Sequence, residues 1–334
     1  MSIHILSRNT TLVAPPKSAE TVFLFPGQSS VGPDILVRAR SAHPAAEAIA
    51  DRARAVLGEA RAARYLDARG LLLRSNRDTQ IAVFLATQMY LAALAAEHVE
   101  ADRSLGLSLG EYSHLVHIGA LDVDDALRLV DERGRCYDEA PHGIMAAVLA
   151  ADYDTVASVV HEARRQGEIA ISNINAPTQH VIAGAEPAVS WAATALEEEH
   201  LAHVTIIERR VPMHAPMMAP VAAAFAPALS RAAWKTAART YVPNVTATPI
   251  PHPTAADFVA HLTRHVSEPV LWQRSIDGLV SAGRQATFLE VGPGGVLHNM
   301  MARAWRGVRS ARVDAGEGID PRDHFNATVG AWRA

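Results

Sequence analysis

Between residues 143 and 213 the chain alternates short apolar runs with helix-prone stretches in the order βαββαβ, and no other segment restricts the fold as much. Residues 144–149 form a β-prone run and 153–166 have helical composition. Residues 168–173 and 179–183 read as two strands about Asn175-Ala-Pro177, followed by a helix over 186–200 and a strand over 203–211. That order predicts a small ferredoxin-like subdomain. The flanking sequence has a different rhythm, with longer helical stretches at 45–64 and 78–97 and short apolar runs at 21–25, 241–245 and 287–291. The expectation is therefore a large α/β-hydrolase-like domain with a parallel sheet, built from 21–142 and 214–320. The βαββαβ unit at 143–213 is inserted into it, and residues 1–20 form an N-terminal extension. A cleft between the two parts is the natural place for a site.

Composition narrows the function classes. The net charge of −4 gives no global reason to expect nucleic-acid binding. Cys136 is the single cysteine, so no intrachain disulfide can form and a Cys-rich zinc site is excluded. The polar N-terminus, broken by Pro15 and Pro16, lacks a signal-peptide pattern. The most apolar stretch, 81–96, contains Thr87 and Gln88 and reads as a core helix rather than a membrane span. A cytoplasmic monomer without a metal site is expected.

Gly106-Leu-Ser-Leu-Gly110 matches G-x-S-x-G, between a short strand ending at Gly106 and a helix over 109–118. A serine on such a turn needs small neighbours so that its backbone can adopt strained angles and expose Oγ. The same pattern also suits a tight turn with an incidental serine. A serine hydroxyl needs a base, and the chain has 16 histidines. His214 stands out because it follows the last strand of the βαββαβ unit, at the domain boundary. His114 and His117 are nearer in sequence, but their helix faces them away from Ser108.

Five motifs then fall into one order. Phe25-Pro-Gly-Gln-Ser-Ser30 resembles the FPGQGSQ loop of malonyl-CoA:acyl carrier protein transacylases and polyketide synthase acyltransferase domains. Gly106-Leu-Ser-Leu-Gly-Glu-Tyr112 resembles their GHSLGEY elbow. Asn173-Ile-Asn-Ala-Pro177 through Val181-Ile-Ala-Gly184 is similar to NxNxPxQxVIxG, Val211-Pro-Met-His214 to VPSH, and Glu290-Val-Gly-Pro-Gly294 to EVGPG. The resemblance covers about residues 21 to 305.

The resemblance implies an acyltransferase that carries an acyl group, malonyl first among the candidates, from a thioester to the phosphopantetheine thiol of an acyl carrier protein. The pathway would be polyketide or fatty acid synthesis. Ser108 would be the nucleophile and His214 its base. The backbone N–H groups of Gln28 and Leu109 would hold the oxyanion, and Asn244 would supply the backbone carbonyl that orients the histidine. Arg133, 25 residues after Ser108 and followed by Gly134, matches the arginine that pairs with the malonyl carboxylate. A guanidinium suits that task because it grips a carboxylate through two parallel hydrogen bonds. A helix-surface arginine in an i,i+4 pair is the other reading. Gln80 and Asn175 would line the same pocket. No cofactor is implied beyond acyl-CoA and the phosphopantetheinyl carrier as substrates.

The sequence departs from the family pattern in several places. Leu107 stands for the histidine before the nucleophile, Ser29 for a loop glycine, Tyr137 for a methionine and Gly295 for a lysine. Met213, before His214, is at a position that helps set acyl selectivity, although it equally suits a core filler. Carrier proteins are typically acidic, and 302–312 carries Arg303, Arg306, Arg309 and Arg312. Arg303 and Arg306 would dock the carrier, unless they simply form a solvated helix face. The other readings are a carrier-to-carrier transferase of a larger acyl chain, an editing hydrolase of stalled acyl carriers, and an inert carrier-binding scaffold.

Overall fold

The computed structural model describes residues 19–32, 34–66, 75–281 and 285–333. Nearly all of the expected N-terminal extension lies outside the described residues. The first half of the chain runs β1 (Glu20–Phe25), α1 (Ile35–Ala42), α2 (Ala46–Leu57), α3 (Glu59–Leu66), α4 (Asn76–Ala96), β2 (Arg103–Gly106), α5 (Gly110–His117) and α6 (Val123–Asp138). It continues through β3 (Ile144–Leu149), α7 (Tyr153–Ala163), β4 (Ile169–Ala176), β5 (Gln179–Gly184), α8 (Glu186–His200) and β6 (His203–Glu208). The remainder is α9 (Ala219–Arg231), α10 (Ala255–His265), α11 (Trp272–Val280), β7 (Ala286–Glu290), α12 (Val296–Ala304), β8 (Arg309–Arg312) and α13 (Pro321–Arg333).

Two sheets form. The first is parallel, in the order β2-β1-β7-β8. Its central strand β1 is buried from Val22 to Phe25, which explains its unbroken apolar run. Phe25 pairs with Gly106 and Leu24 with Glu290, so the loops after β1, β2 and β7 leave the same carboxyl edge. That edge is where open parallel sheets bind their ligands. The second sheet is antiparallel, in the order β4-β5-β3-β6. With α7 and α8 packed on it, this is the ferredoxin-like arrangement that the βαββαβ order implied. Val270, between α10 and α11, ties the large domain to β4: its N–H donates to Ser172 O and its carbonyl accepts from Ile174 N–H, both at 2.9 Å.

Helix α4 is long and apolar enough to cross a membrane by length and composition, but most of it is buried. It packs against α1, α2 and α6 as a core helix. Its N-cap is Ser75, whose hydroxyl accepts the Asp78 N–H, in place of the Asp78 or Thr79 that composition suggested. Asp138 takes up a second free N–H there, that of Asn76, at 2.8 Å. Gly134 lets α6 approach α4, because a Cβ there would lie 2.5 Å from the Arg77 Cα.

Three local expectations change. The 241–245 run is not a strand. Pro243 has no N–H to give a ladder, its carbonyl takes the Ala247 N–H in a turn, and only Tyr241 pairs, with Ile250. The 45–64 helix breaks at Gly58, whose φ of 81° ends α2 before α3 begins. Residues 302–312 are not one helix face: α12 ends at Ala304, and Arg309 and Arg312 lie on β8.

Candidate active site

The tight turn between β2 and α5 holds Ser108 at φ 51°, in the left-handed region. Both flanking glycines are required sterically. A Cβ on Gly106 would collide with the backbone of Gly110, and a Cβ on Gly110 with the carbonyl of Phe25. Asn244 bridges the turn from the other side: its Oδ1 accepts the Ser108 N–H at 2.8 Å and its Nδ2 donates to Gly106 O at 2.7 Å.

Ser108 Oγ lies 2.7 Å from His214 Nε2, within reach for proton transfer. His214 follows β6 by six residues and also has positive φ, 62°. Its Nδ1 bonds the backbone carbonyl of His265 at 2.6 Å, which leaves Nε2 as the acceptor facing Ser108. The Asn244 carbonyl does not fill this role, because it accepts the Leu271 N–H instead. Asn244 therefore acts through its side chain, on the serine turn. Burial holds the His214 imidazole down to about 3, helped by Arg133 and opposed by the bond to His265. The imidazole is neutral at neutral pH.

His114 and His117 do face away from this pair. Both ring Nδ1 atoms bond Ser104 Oγ under β2, at 2.7 and 2.9 Å.

Arg133 comes up from α6 behind the serine. It is 1% exposed, donates to Gln80 Oε1 at 2.7 Å, and its Nη2 is 3.5 Å from Ser108 Oγ. This is not the exposed i,i+4 arginine of the alternative reading. Tyr137 and Tyr112 flank the guanidinium, their ring centroids 4.3 and 5.8 Å from Cζ. Tyr137, the departure noted above, thus packs directly on the arginine.

A cavity of about 430 Å³ opens in front of Ser108. Gln28, Leu107, Asn175, Met213 and His214 line it, with Met145 and Val181 from the second sheet above. The Gln28 side chain donates to Asn76 Oδ1 at 2.9 Å, which fixes the loop after β1 beside the serine. Leu109, directly after Ser108, is the N-cap of α5. Asn175 Oδ1 is buried and has no partner among the described residues. Val296 and Met300 of α12 also reach the cavity, whereas Arg303 and Arg306 are exposed and lie outside its lining. Among the described residues no group of three His, Cys, Asp or Glu side chains could hold a metal ion.

Three residues that the motifs gave no role lie in a chain behind His214. His265, Glu111 and Tyr241 are all buried, and they come from the end of α10, the first turn of α5 and the loop after α9. Glu111 lies inside the quoted elbow motif, and a lone acid among apolar helix neighbours was the available signal. No local pattern marks His265 or Tyr241.

A family described as acyl transferase domain matches residues 22–326. The malonyl CoA-acyl carrier protein transacylase of Escherichia coli K12 is 31% identical over 286 residues, covering 84% of this chain and 91% of the relative. The solved malonyl-CoA:acyl carrier protein transacylase of Xanthomonas oryzae pv. oryzae superposes with a TM-score of 0.85 at 28% identity, covering 94% of this chain and 98% of that one. A malonyl-transacylase solved in complex with its type II PKS acyl-carrier protein has a TM-score of 0.84 at 26% identity, covering 93% of this chain and 99% of that one.

Proposed function

The chain belongs to the acyl transferase family, and from that premise we propose that it moves a malonyl group from coenzyme A to an acyl carrier protein through an ester on Ser108. The observation that carries this reading is one oxygen with two neighbours: Ser108 Oγ has the His214 base at 2.7 Å and the Arg133 guanidinium at 3.5 Å.

In the first half-reaction Ser108 Oγ attacks the thioester carbonyl carbon while His214 Nε2 takes its proton. The carbonyl oxygen becomes an oxyanion, held by the Gln28 and Leu109 N–H groups and aided by the N-terminal end of α5. The C–S bond then breaks, the thiolate takes the proton from His214, and coenzyme A leaves. In the second half the carrier's phosphopantetheine thiol gives its proton to His214 and attacks the ester. Ser108 leaves and is reprotonated. Arg133, held in place by Gln80, grips the malonyl carboxylate throughout. Asn175, Leu107 and Met213 shape the channel for the acyl and pantetheine portions. The sequence of steps needs no metal or redox group, and a coenzyme A donor supports a cytoplasmic location.

Arg303 and Arg306 are the proposed carrier contacts. They are exposed at and just beyond the end of α12, whose own Val296 and Met300 reach the cavity. A carrier seated there would have a short path for its prosthetic arm. The division into 21–142 with 214–320 and an inserted 143–213 follows the two sheets, and the cavity lies where they meet.

The test is transfer of malonyl from coenzyme A to a holo carrier protein, followed by carrier mass. Loss of transfer in Ser108→Ala and in His214→Ala is expected. Transfer that persists in Ser108→Ala contradicts the proposal.

A further inference from the structure

His214 does not meet its carbonyl partner alone. The imidazole of the same residue, His265, stacks beneath the His214 ring, with centroids 4.7 Å apart and planes 17° apart. His265 Nδ1 lies 3.1 Å from Glu111 Oε2, and Tyr241 Oη donates to Glu111 Oε1 at 2.5 Å. All four side chains are at most 2% exposed. Residues from α5, α10 and one loop thus form a chain ending on one face of the His214 ring, and the acylation chemistry uses none of the three as a reacting group.

We propose that His265 is a positioning residue for His214, its ring held against the base by Glu111, which Tyr241 in turn fixes. The proposal rests on the acyltransferase reading above.

The physical need is specific. When His214 takes the Ser108 proton it becomes an imidazolium. A second imidazolium stacked on it would oppose that step, and a free ring nitrogen beside it would compete for the proton. Other charged and titratable groups press the same way. Arg133 from α6 disfavours charge on both rings, and Tyr112 on α5 and Tyr241 are held in their neutral forms chiefly by burial. Glu111 is pushed up to about 8, chiefly by burial, with the Tyr241 bond, the Asn244 backbone and Arg133 opposing. An uncharged Glu111 adds no charge beside the two stacked rings. Anchoring the ring also anchors the residue's own carbonyl, the group that orients His214 Nδ1. A shift of about 1 Å in such a support can cost about 100-fold in rate.

Two pairs of variants test this in single-turnover formation of the acyl-serine, with KM for malonyl-CoA measured alongside. His265→Leu and Glu111→Ala should slow acylation by about 10- to 100-fold with KM nearly constant. His265→Gln and Glu111→Gln, which keep a neutral hydrogen-bonding amide, should recover most of that loss. Nitrogen-15 NMR of labelled histidine in the wild-type protein, assigned with His265→Gln, should show His265 neutral at pH 7. This measurement stands even where the leucine or alanine variant fails to fold. The proposal is overturned by His265→Leu acylating at the wild-type rate, by glutamine variants as slow as Leu and Ala, or by a His265 that is an imidazolium at pH 7. A wild-type chain that forms no adduct with any acyl thioester defeats the acyltransferase reading instead.

Discussion

His214 is bonded through Nδ1 to the carbonyl of His265 at 2.6 Å and stacked on the ring of that same residue. A single neighbour therefore sets both the tautomer and the tilt of the base. The arrangement does without a carboxylate hydrogen-bonded to His214, so no negative charge bonded to the ring lifts its proton affinity. Burial and Arg133 instead lower it.

The consequence is a pH-rate profile without the usual histidine step. With the free imidazole held down to about 3, His214 stays an acceptor well below its ordinary 6.5. The kcat/KM for malonyl transfer, read from pH 8 to pH 5 under conditions where the protein remains folded, should show no tenfold-per-unit fall below 6.5 attributable to the base. A limb of unit slope with its midpoint between 6 and 7, shifted by His265→Gln, would contradict the geometry.

Arg133 should decide which acyl groups are accepted. A buried, charge-assisted bidentate pair contributes about 3 kcal/mol, so Arg133→Ala should lower kcat/KM for malonyl-CoA by about 100-fold. Acetyl-CoA has no carboxylate to lose contact with, so the malonyl-to-acetyl ratio should collapse by a similar factor. Competition assays with both thioesters read this ratio directly. Equal losses for the two substrates would mean that Arg133 supports the fold of the pocket rather than the carboxylate.

Much of this site could be read along the chain, because its steric demands are local. Gly106 and Gly110 are needed where the serine turn meets Phe25, and any sequence making that turn must show them. The βαββαβ order likewise survives as the β4-β5-β3-β6 sheet, since alternation and turn residues encode it locally. What was not legible depends on packing between distant segments. Asn244 was matched to a carbonyl role by its neighbours in sequence, yet its side chain bridges Ser108 and Gly106, 136 and 138 residues away. His265, Glu111 and Tyr241 meet only because α5, α10 and the loop after α9 close on one another. The run at 241–245 had strand composition, but Pro243 and the turn at Ala247 overrode it.

Stability should be lost on the acid side in two stages. His114 and His214 are held down to about 3, His117 to about 4 and His265 well below its ordinary value, all chiefly by burial. The unfolded chain binds protons at these positions as pH falls through 6.5 and the native chain does not, so their contribution to stability falls from there downward. Glu111 and Glu290, raised by burial to about 8 and about 7, act in the opposite sense: native protein keeps protons that the unfolded chain releases above 4.5. Between 6.5 and 4.5 the two sets partly offset. Below 4.5 the histidines are joined by carboxylates that arginine partners hold low, Asp131 and Asp314 among them, and each group that the unfolded chain protonates first costs about 1.4 kcal/mol per pH unit. Urea unfolding from pH 7 to pH 4 should show a shallow fall in midpoint that steepens below about 4.5. A midpoint that is flat or rises over the whole range would contradict this assignment.

The central claim is that Ser108 carries the acyl group. Malonyl-CoA should be mixed with the protein, quenched in acid within one turnover, and the intact and peptide masses read without any carrier present. A single malonyl adduct on the peptide containing Ser108, absent in Ser108→Ala and discharged on adding holo carrier protein, is the predicted result. An adduct on another residue, or one that persists in Ser108→Ala, would contradict the account.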